Sequence, residues 1–351
     1  MQTADTTNVK TAIKNMTLIS YGFMLLMFVL IGCLHMATPL LVALLGMFAL
    51  LTMSVNPRLP KWSIVTIFLL ITAGVLLGLV HFVREAFASI PTIADNTIPA
   101  LLNWAKKQEV ELPFTDYESL KQSLLDFLQS SASMETVRSL GALAKFASLE
   151  IVFLLAGIVV AVSLYLNPQT ELGRPANAAP DNLYALFCDA LSARFRLLYH
   201  SFATVMGAQI TISAINTVLT AIFVLSVDLP HPAFVIGATF LCGLLPVIGN
   251  LISNTVIVAV AFTVSPTMAI LALAFLVTIH KLEYFLNSKI IGSRIRNPVW
   301  LMLLSLIIGE KLLGLAGMIL APVLLHYIKS EISAIKLPDP EPAAADEAKA
   351  K

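Results

Sequence analysis

The chain has 351 residues, 58% of them hydrophobic and only 12% charged, and its mean hydropathy is +0.87. A soluble protein carries about 25% charged residues, so this composition excludes a soluble enzyme, a disordered chain and a DNA-binding domain. The net charge of +1 offers no long-range attraction to nucleic acid.

Charge-free runs at 15–57, 62–83, 151–170, 197–227 and 229–280 each reach the roughly 20 residues that span a bilayer. They are continuously apolar rather than alternating, which excludes a β-barrel. The fold expected is an all-α polytopic membrane protein with about six full transmembrane helices, two re-entrant helical hairpins and an extracytoplasmic helical insertion. In chain order, the crossings fall near 17–36, 39–55, 62–83, 147–166, 201–227 and 266–286, and the hairpins at 232–264 and 298–328. The division is a three-helix segment at 1–83, the insertion at 84–146, a core at 147–330 and a disordered cytoplasmic tail at 336–351. The first apolar run, preceded by Lys10 and Lys14, is too long for a cleaved leader and reads as two retained helices. Gly74 and Gly78 form a small-xxx-small pair in the third crossing, which predicts close helix contact.

Basic clusters orient the set. Lys10 and Lys14, Arg58 and Lys61, Arg174, Arg194 and Arg196, Lys281 to Arg296, and Lys329 and Lys336 all fall on one side if the amino terminus is cytoplasmic. Both termini are then cytoplasmic. The insertion 84–146 carries six basic and eight acidic residues but is long enough to translocate regardless of charge. Thr115 and Glu118 have capping-box spacing, and Tyr117, Leu120, Leu124 and Leu128 form an apolar stripe that packs on its own or a neighbouring subunit or else lies at the lipid interface. A homo-oligomer is therefore expected. The amphipathic stretch 181–200 is expected to rest on the inner interface.

The segment 232–264 is apolar throughout yet broken by Gly243, Pro246 and Gly249; 298–328 repeats the design with Gly309, Glu310, Lys311, Gly314 and Gly317 and a later break at Pro322. Backbone broken at membrane depth persists only inside protein or beside a wet cavity. Paired broken segments are the strongest sequence pointer to a transporter site. Two tight helical hairpins with glycine at their turns are the structural alternative.

Gln209, Ser213, Asn216 and Thr220 are spaced by four, three and four, which places them on one helix face. The stripe lines a path for a polar solute or bonds to neighbouring helices. Asn250, Ser253 and Asn254 offer neutral donors and acceptors beside the first break, suited to a polyol-like solute or a dehydrated sodium ion, or to capping freed backbone. His280 and Glu283 share a face with Asn287 one turn later, able to relay protons or hold a cation, or simply to reach interfacial water. The pair supplies too few ligands for a metal site. Cys33, Cys188 and Cys242 read as small apolar side chains. No hydrolase, zinc-protease or phosphate-loop motif is present, so neither an enzyme nor a cofactor is expected.

The blocks Gly243-Leu-Leu-Pro246-Val-Ile-Gly249-Asn250, Glu283-Tyr-Phe-Leu-Asn287, Lys289-Ile-Ile-Gly292, Asn297-Pro298 and Gly309-Glu-Lys-Leu-Leu-Gly314-Leu-Ala-Gly317-Met-Ile-Leu-Ala321-Pro322 resemble those of the autoinducer-2 exporter family of bacterial membrane proteins. The order and spacing match over about 230–325, and the apolar layout over nearly the whole chain. The resemblance implies a multi-pass permease in the lipid bilayer. Some members are linked to export of the quorum-sensing signal autoinducer-2 and others to exchange of Na+ or Li+ for H+. Ser288 stands where family members commonly have Pro, and Glu310 where they have a second Gly. Glu310 with Lys311 marks either a subgroup with another substrate or a solvent-exposed tip. The expected activity is secondary transport of a small polar solute, or cation/proton antiport, by alternating access between two opposed hairpins. A passive channel or a structural scaffold is the alternative.

Overall fold

The computed structural model describes residues 2–55, 59–109, 140–167, 182–246, 248–290 and 298–335. Among them are nine helices and no strand: α1 (Gln2–Cys33), α2 (Ala37–Met53), α3 (Lys61–Lys107), α4 (Leu140–Leu166), α5 (Leu183–Ser226), α6 (Pro232–Gly243), α7 (Ile248–Val264), α8 (Pro266–Ile290) and α9 (Val299–Ala334). Helix starts follow local chemistry. The Asn182 side chain accepts from the Ala185 amide at 2.9 Å, and the Ser265 hydroxyl accepts from the Met268 amide at 3.1 Å. Pro232 occupies the first turn of α6, where a missing N–H costs nothing.

Six of these helices are long and apolar enough to cross a membrane: α1, α3, α4, α5, α8 and α9. Five coincide with expected crossings. The crossing expected at 39–55 is the 17-residue α2, about 25 Å at 1.5 Å per residue, a little under the hydrocarbon thickness. The sixth, α9, is not straight. Gly314 has φ +62° and ψ −150°, a backbone conformation that essentially only glycine adopts. A Cβ placed on Gly309 would lie 2.6 Å from the Gly317 carbonyl oxygen. Residues eight apart on a continuous helix are separated by about 12 Å, so the chain reverses here.

Three expectations change. The helix of the third crossing does not end near 83: α3 runs on through 107 into the stretch assigned to the insertion, and its distal half packs along the first hairpin. There Thr97 donates to the Ala259 carbonyl at 2.9 Å, Ser89 and His231 Nδ1 are 3.1 Å apart, and Trp104 meets Phe262 edge to face. Thr115, Glu118 and the Tyr117 to Leu128 stripe lie outside the described residues, as does the 336–351 tail. The stretch from 183 to 200 is the first half of α5 and lies against α1 and α9, because Leu191 and Leu198 join Met24 and Tyr327 in an apolar cluster. Close helix contact in the first half of the chain is made by Gly46 against Ala161 and by Gly157 against Val42, where α2 crosses α4. Nothing lies within 4 Å of a Cβ at Gly74 or Gly78, whose face is open.

The long helix α5 is the spine. Its first third meets α1 and the end of α9. Phe202 and Met206 pack with Leu41 of α2 and with Leu320 and Val323 of α9. Its last part, through Phe223 and Val224, packs with Val235, Ile257, Val260, Ala272 and Leu276 of α6, α7 and α8. The two hairpins thus occupy different stretches of one helix.

Candidate functional site

The helix α6 ends at Gly243 inside the protein, so its last four carbonyls have no partner within the helix. All four are satisfied. Ser213 Oγ donates to the Phe240 carbonyl at 2.8 Å, and Gln209 Nε2 donates to the Gly243 carbonyl at 2.6 Å. The amides of Leu244 and Leu245 donate to the Leu241 and Cys242 carbonyls. The turn closes tightly. A Cβ at Gly243 would sit 2.5 Å from Ser213 Oγ, and one at Gly249 would run into the Cys242 carbonyl. Pro246 is buried within the turn.

The rest of the polar stripe does something else. Asn216 and Thr220 turn into a cleft bounded by Thr239 and Gly243 of α6, Asn250, Ser253 and Asn254 of α7, and His280 and Glu283 of α8, with Ile257, Leu276 and Ile279 as its apolar wall. The space they enclose is small, about 20 Å³, enough for a water molecule or a bare cation, and it opens to solvent. Sequence periodicity places the four stripe residues on one face. Tertiary packing assigns two of them to backbone repair and two to the cleft.

Hydrogen bonding gives the cleft its chemical bias. Asn250 Nδ2 lies 2.8 Å from both Glu283 Oε1 and Oε2 and donates to the carboxylate. His280 Nδ1 stands 3.9 Å from Glu283 Oε2. Thr239 donates its hydroxyl hydrogen to the Val235 carbonyl at 2.8 Å, and Ser253 donates to the Asn250 carbonyl at 3.3 Å. With those hydrogens spent, both oxygens offer lone pairs. Asn216, only 7% exposed, keeps its Oδ1 without a hydrogen-bond partner in the protein. The lining is therefore rich in acceptors and suits a ligand with hydrogens to donate or a positive charge. Among the described residues no three His, Cys, Asp or Glu side chains gather as metal ligands.

Asn287 is on the last turns of α8, with its side chain outside what the structure describes. The second hairpin contributes nothing to the cleft lining. Its Gly309 and Gly317 press together, Gly314 makes the reversal, Pro322 is buried in the second leg, and Glu310 and Lys311 form a 3.5 Å ion pair with side chains 45% and 77% exposed. Leu313, at the tip, approaches Gly32 at the end of α1.

Sequence reasoning missed two features. Thr239 is the one polar residue in the apolar core of α6 and sits one turn before Gly243, a signal that the break should have drawn out. The other is a polar cluster joining α1, α5 and α9: Arg194 Nη1 and Glu331 Oε2 are 3.3 Å apart, Tyr21 donates to Glu331 Oε2 at 3.0 Å, and the Arg194 guanidinium lies 4.2 Å from the centre of the Tyr21 ring. No periodicity marks residues 310 positions apart.

Comparison with known proteins agrees with this architecture. Residues 18–336 match the model of the family described as "AI-2E family transporter". The curated protein named "Putative transport protein YdbI" from Bacillus subtilis (strain 168) is 30% identical over 122 residues, which is 34% of this chain. The chain spans about a third of that relative's length, 35%, in the matched region. With nearly its whole membrane region inside the family match and its broken helices folded into two hairpins, the chain belongs to the AI-2E transporter family.

Proposed function

We propose that the protein is a secondary transporter that binds a small, hydrogen-donating or cationic solute in the cleft between the first hairpin, α5 and α8. The observation that carries this reading is the acceptor-rich lining of Asn216, Thr239, Ser253 and Glu283 around a cleft open to solvent. Autoinducer-2, with its several hydroxyls, and Na+ or Li+ exchanged for H+ both satisfy that chemistry. Glu283 is the ionisable group in the path, and transport rather than catalysis is the use made of it. The first hairpin gates the cleft, while the second, spaced along α5 from it, forms the opposing support. Cytoplasmic termini follow from the basic clusters, the bacterial inner membrane is the location the family suggests, and a homo-oligomer would use the insertion or the open face of α3.

The test is ion and solute flux in proteoliposomes. Sodium or lithium pulses should move protons, or labelled autoinducer-2 should cross against its gradient. Glu283→Gln should reduce either flux at least tenfold while expression and helix content stay unchanged. Flux that is intact in Glu283→Gln removes the carboxylate from the path. Flux that is linear in concentration and independent of any ion gradient favours a passive channel instead, which neutral lining groups serve equally well.

A further inference from the structure

The Asn250–Glu283 contact joins the turn of the first hairpin to a carboxylate on α8. Asn250 stands in the first turn of α7, one residue after Gly249, whose backbone presses on the Cys242 carbonyl across the hairpin turn. Its own carbonyl is held by Ser253. Asn250 thus sits on a closely packed turn, and its side chain links that turn to Glu283. Both carboxylate oxygens lie 2.8 Å from the same Nδ2, and the Glu283 side chain is only 16% exposed. A hydrogen bond to a charged acceptor is roughly twice as strong as one to a neutral acceptor. The strength of this contact accordingly depends on what else Glu283 binds.

We infer that Asn250 is a positioning residue that clasps the first hairpin to α8 through the Glu283 carboxylate, and that a proton or cation arriving at Glu283 releases the clasp and lets the hairpin turn move. This rests on the reading of the cleft as the transport site. Both oxygens serve the clasp, so a cation coordinated there competes with Asn250 directly. A proton there removes the charge that strengthens the bond. Among the described residues lining the cleft, His280 of α8 is the titratable neighbour of Glu283, and those from α5, α6 and α7 are all uncharged. Asn216 and Thr220, fixed on the spine, remain in place as the hairpin moves and keep half of the site intact. In this scheme, binding and gating share one pair of side chains.

The experiment is a spin-label distance measurement between Leu245→Cys in the turn and Leu225→Cys on α5, with Cys33, Cys188 and Cys242 replaced by serine. In the otherwise unaltered protein, acid pH or saturating sodium should raise the population of longer distances roughly fivefold, the ratio separating a charge-assisted from a neutral hydrogen bond. Glu283→Gln should produce the same population at neutral pH, Asn250→Ala, which removes the bond outright, at least as large a one, and the double variant no more than Asn250→Ala alone. Asn250→Gln, which keeps the amide on a longer arm, should fall between. A distance distribution unmoved by acid and by sodium overturns the clasp even if a variant fails to fold, and so does an additive double variant. The distances are read without any transport assay. A clasp that responds in a protein without flux would sink the transporter reading and leave the clasp standing.

Discussion

At the first hairpin the turn after Gly243 is held by side chains of α5, Gln209 and Ser213, whereas at the second the reversal at Gly314 is held by backbone packing of Gly309 against Gly317. The first is lined by polar groups on the cleft side. The second is sealed by apolar residues of α2 and α5 along its length, and its far leg is tied down by Arg194 and Glu331. Two segments with the same glycine and proline punctuation thus solve the problem of broken backbone differently. At the first, the helix whose side chains satisfy the carbonyls also brings Asn216 and Thr220 to the cleft; at the second, no described residue lines that cleft.

The comparison can be broken most strongly at the second hairpin. Glu331→Ala leaves the partly covered Arg194 without its carboxylate partner, and stability should fall by up to about 3 kcal/mol. The double variant Arg194→Leu with Glu331→Leu should recover most of that loss, because an apolar pair carries no desolvation cost. Denaturant unfolding in detergent micelles measures both. Recovery failing in the double variant would mean that the Tyr21 bond, rather than the charge pair, holds the leg.

Gly309→Ala comes next. Its methyl group would meet the Gly317 carbonyl at 2.6 Å, which packed backbone cannot accommodate without shifting, at a cost of about 1 to 3 kcal/mol. Gly74→Ala, in open space on α3, is the control and should be neutral or slightly stabilising through helix propensity. Equal losses at the two positions would deny the reversal its close backbone contact.

At the first hairpin the expected effects are smaller on stability. Ser213→Ala deprives the Phe240 carbonyl of its donor and should cost about 1 kcal/mol. Smallest of all, replacing Glu310 and Lys311 together by Gln should shift stability by no more than about 0.5 kcal/mol, since both are exposed at the tip. The same double replacement should leave transport unchanged. A large transport defect would instead assign the tip a role in substrate choice.

Much of the site was legible because membrane insertion writes itself into local pattern. The spacing of Gln209, Ser213, Asn216 and Thr220 required one shared face, and Gly243, Pro246 and Gly249 required a break. Asn250, Ser253, Asn254 and Glu283 were visible as polar residues in an apolar run. The partnership of Asn250 with Glu283 was not, since 33 residues and a helix reversal separate them. The same limit hid the bond between Tyr21 and Glu331. Gly74 and Gly78 show the converse, a local motif for close contact whose face found no partner in this chain.

The sequence by itself determined that the chain is helical, that it spans the bilayer and which two segments reverse, because hydrocarbon allows no unsatisfied backbone; Pro322, expected as a later break, stays inside the helix, which is interrupted at Gly314 alone. Only the tertiary structure decided which polar groups repair those breaks and which face a cleft. That choice depends on which carbonyls a neighbouring helix can reach, a matter of distances between segments far apart in sequence.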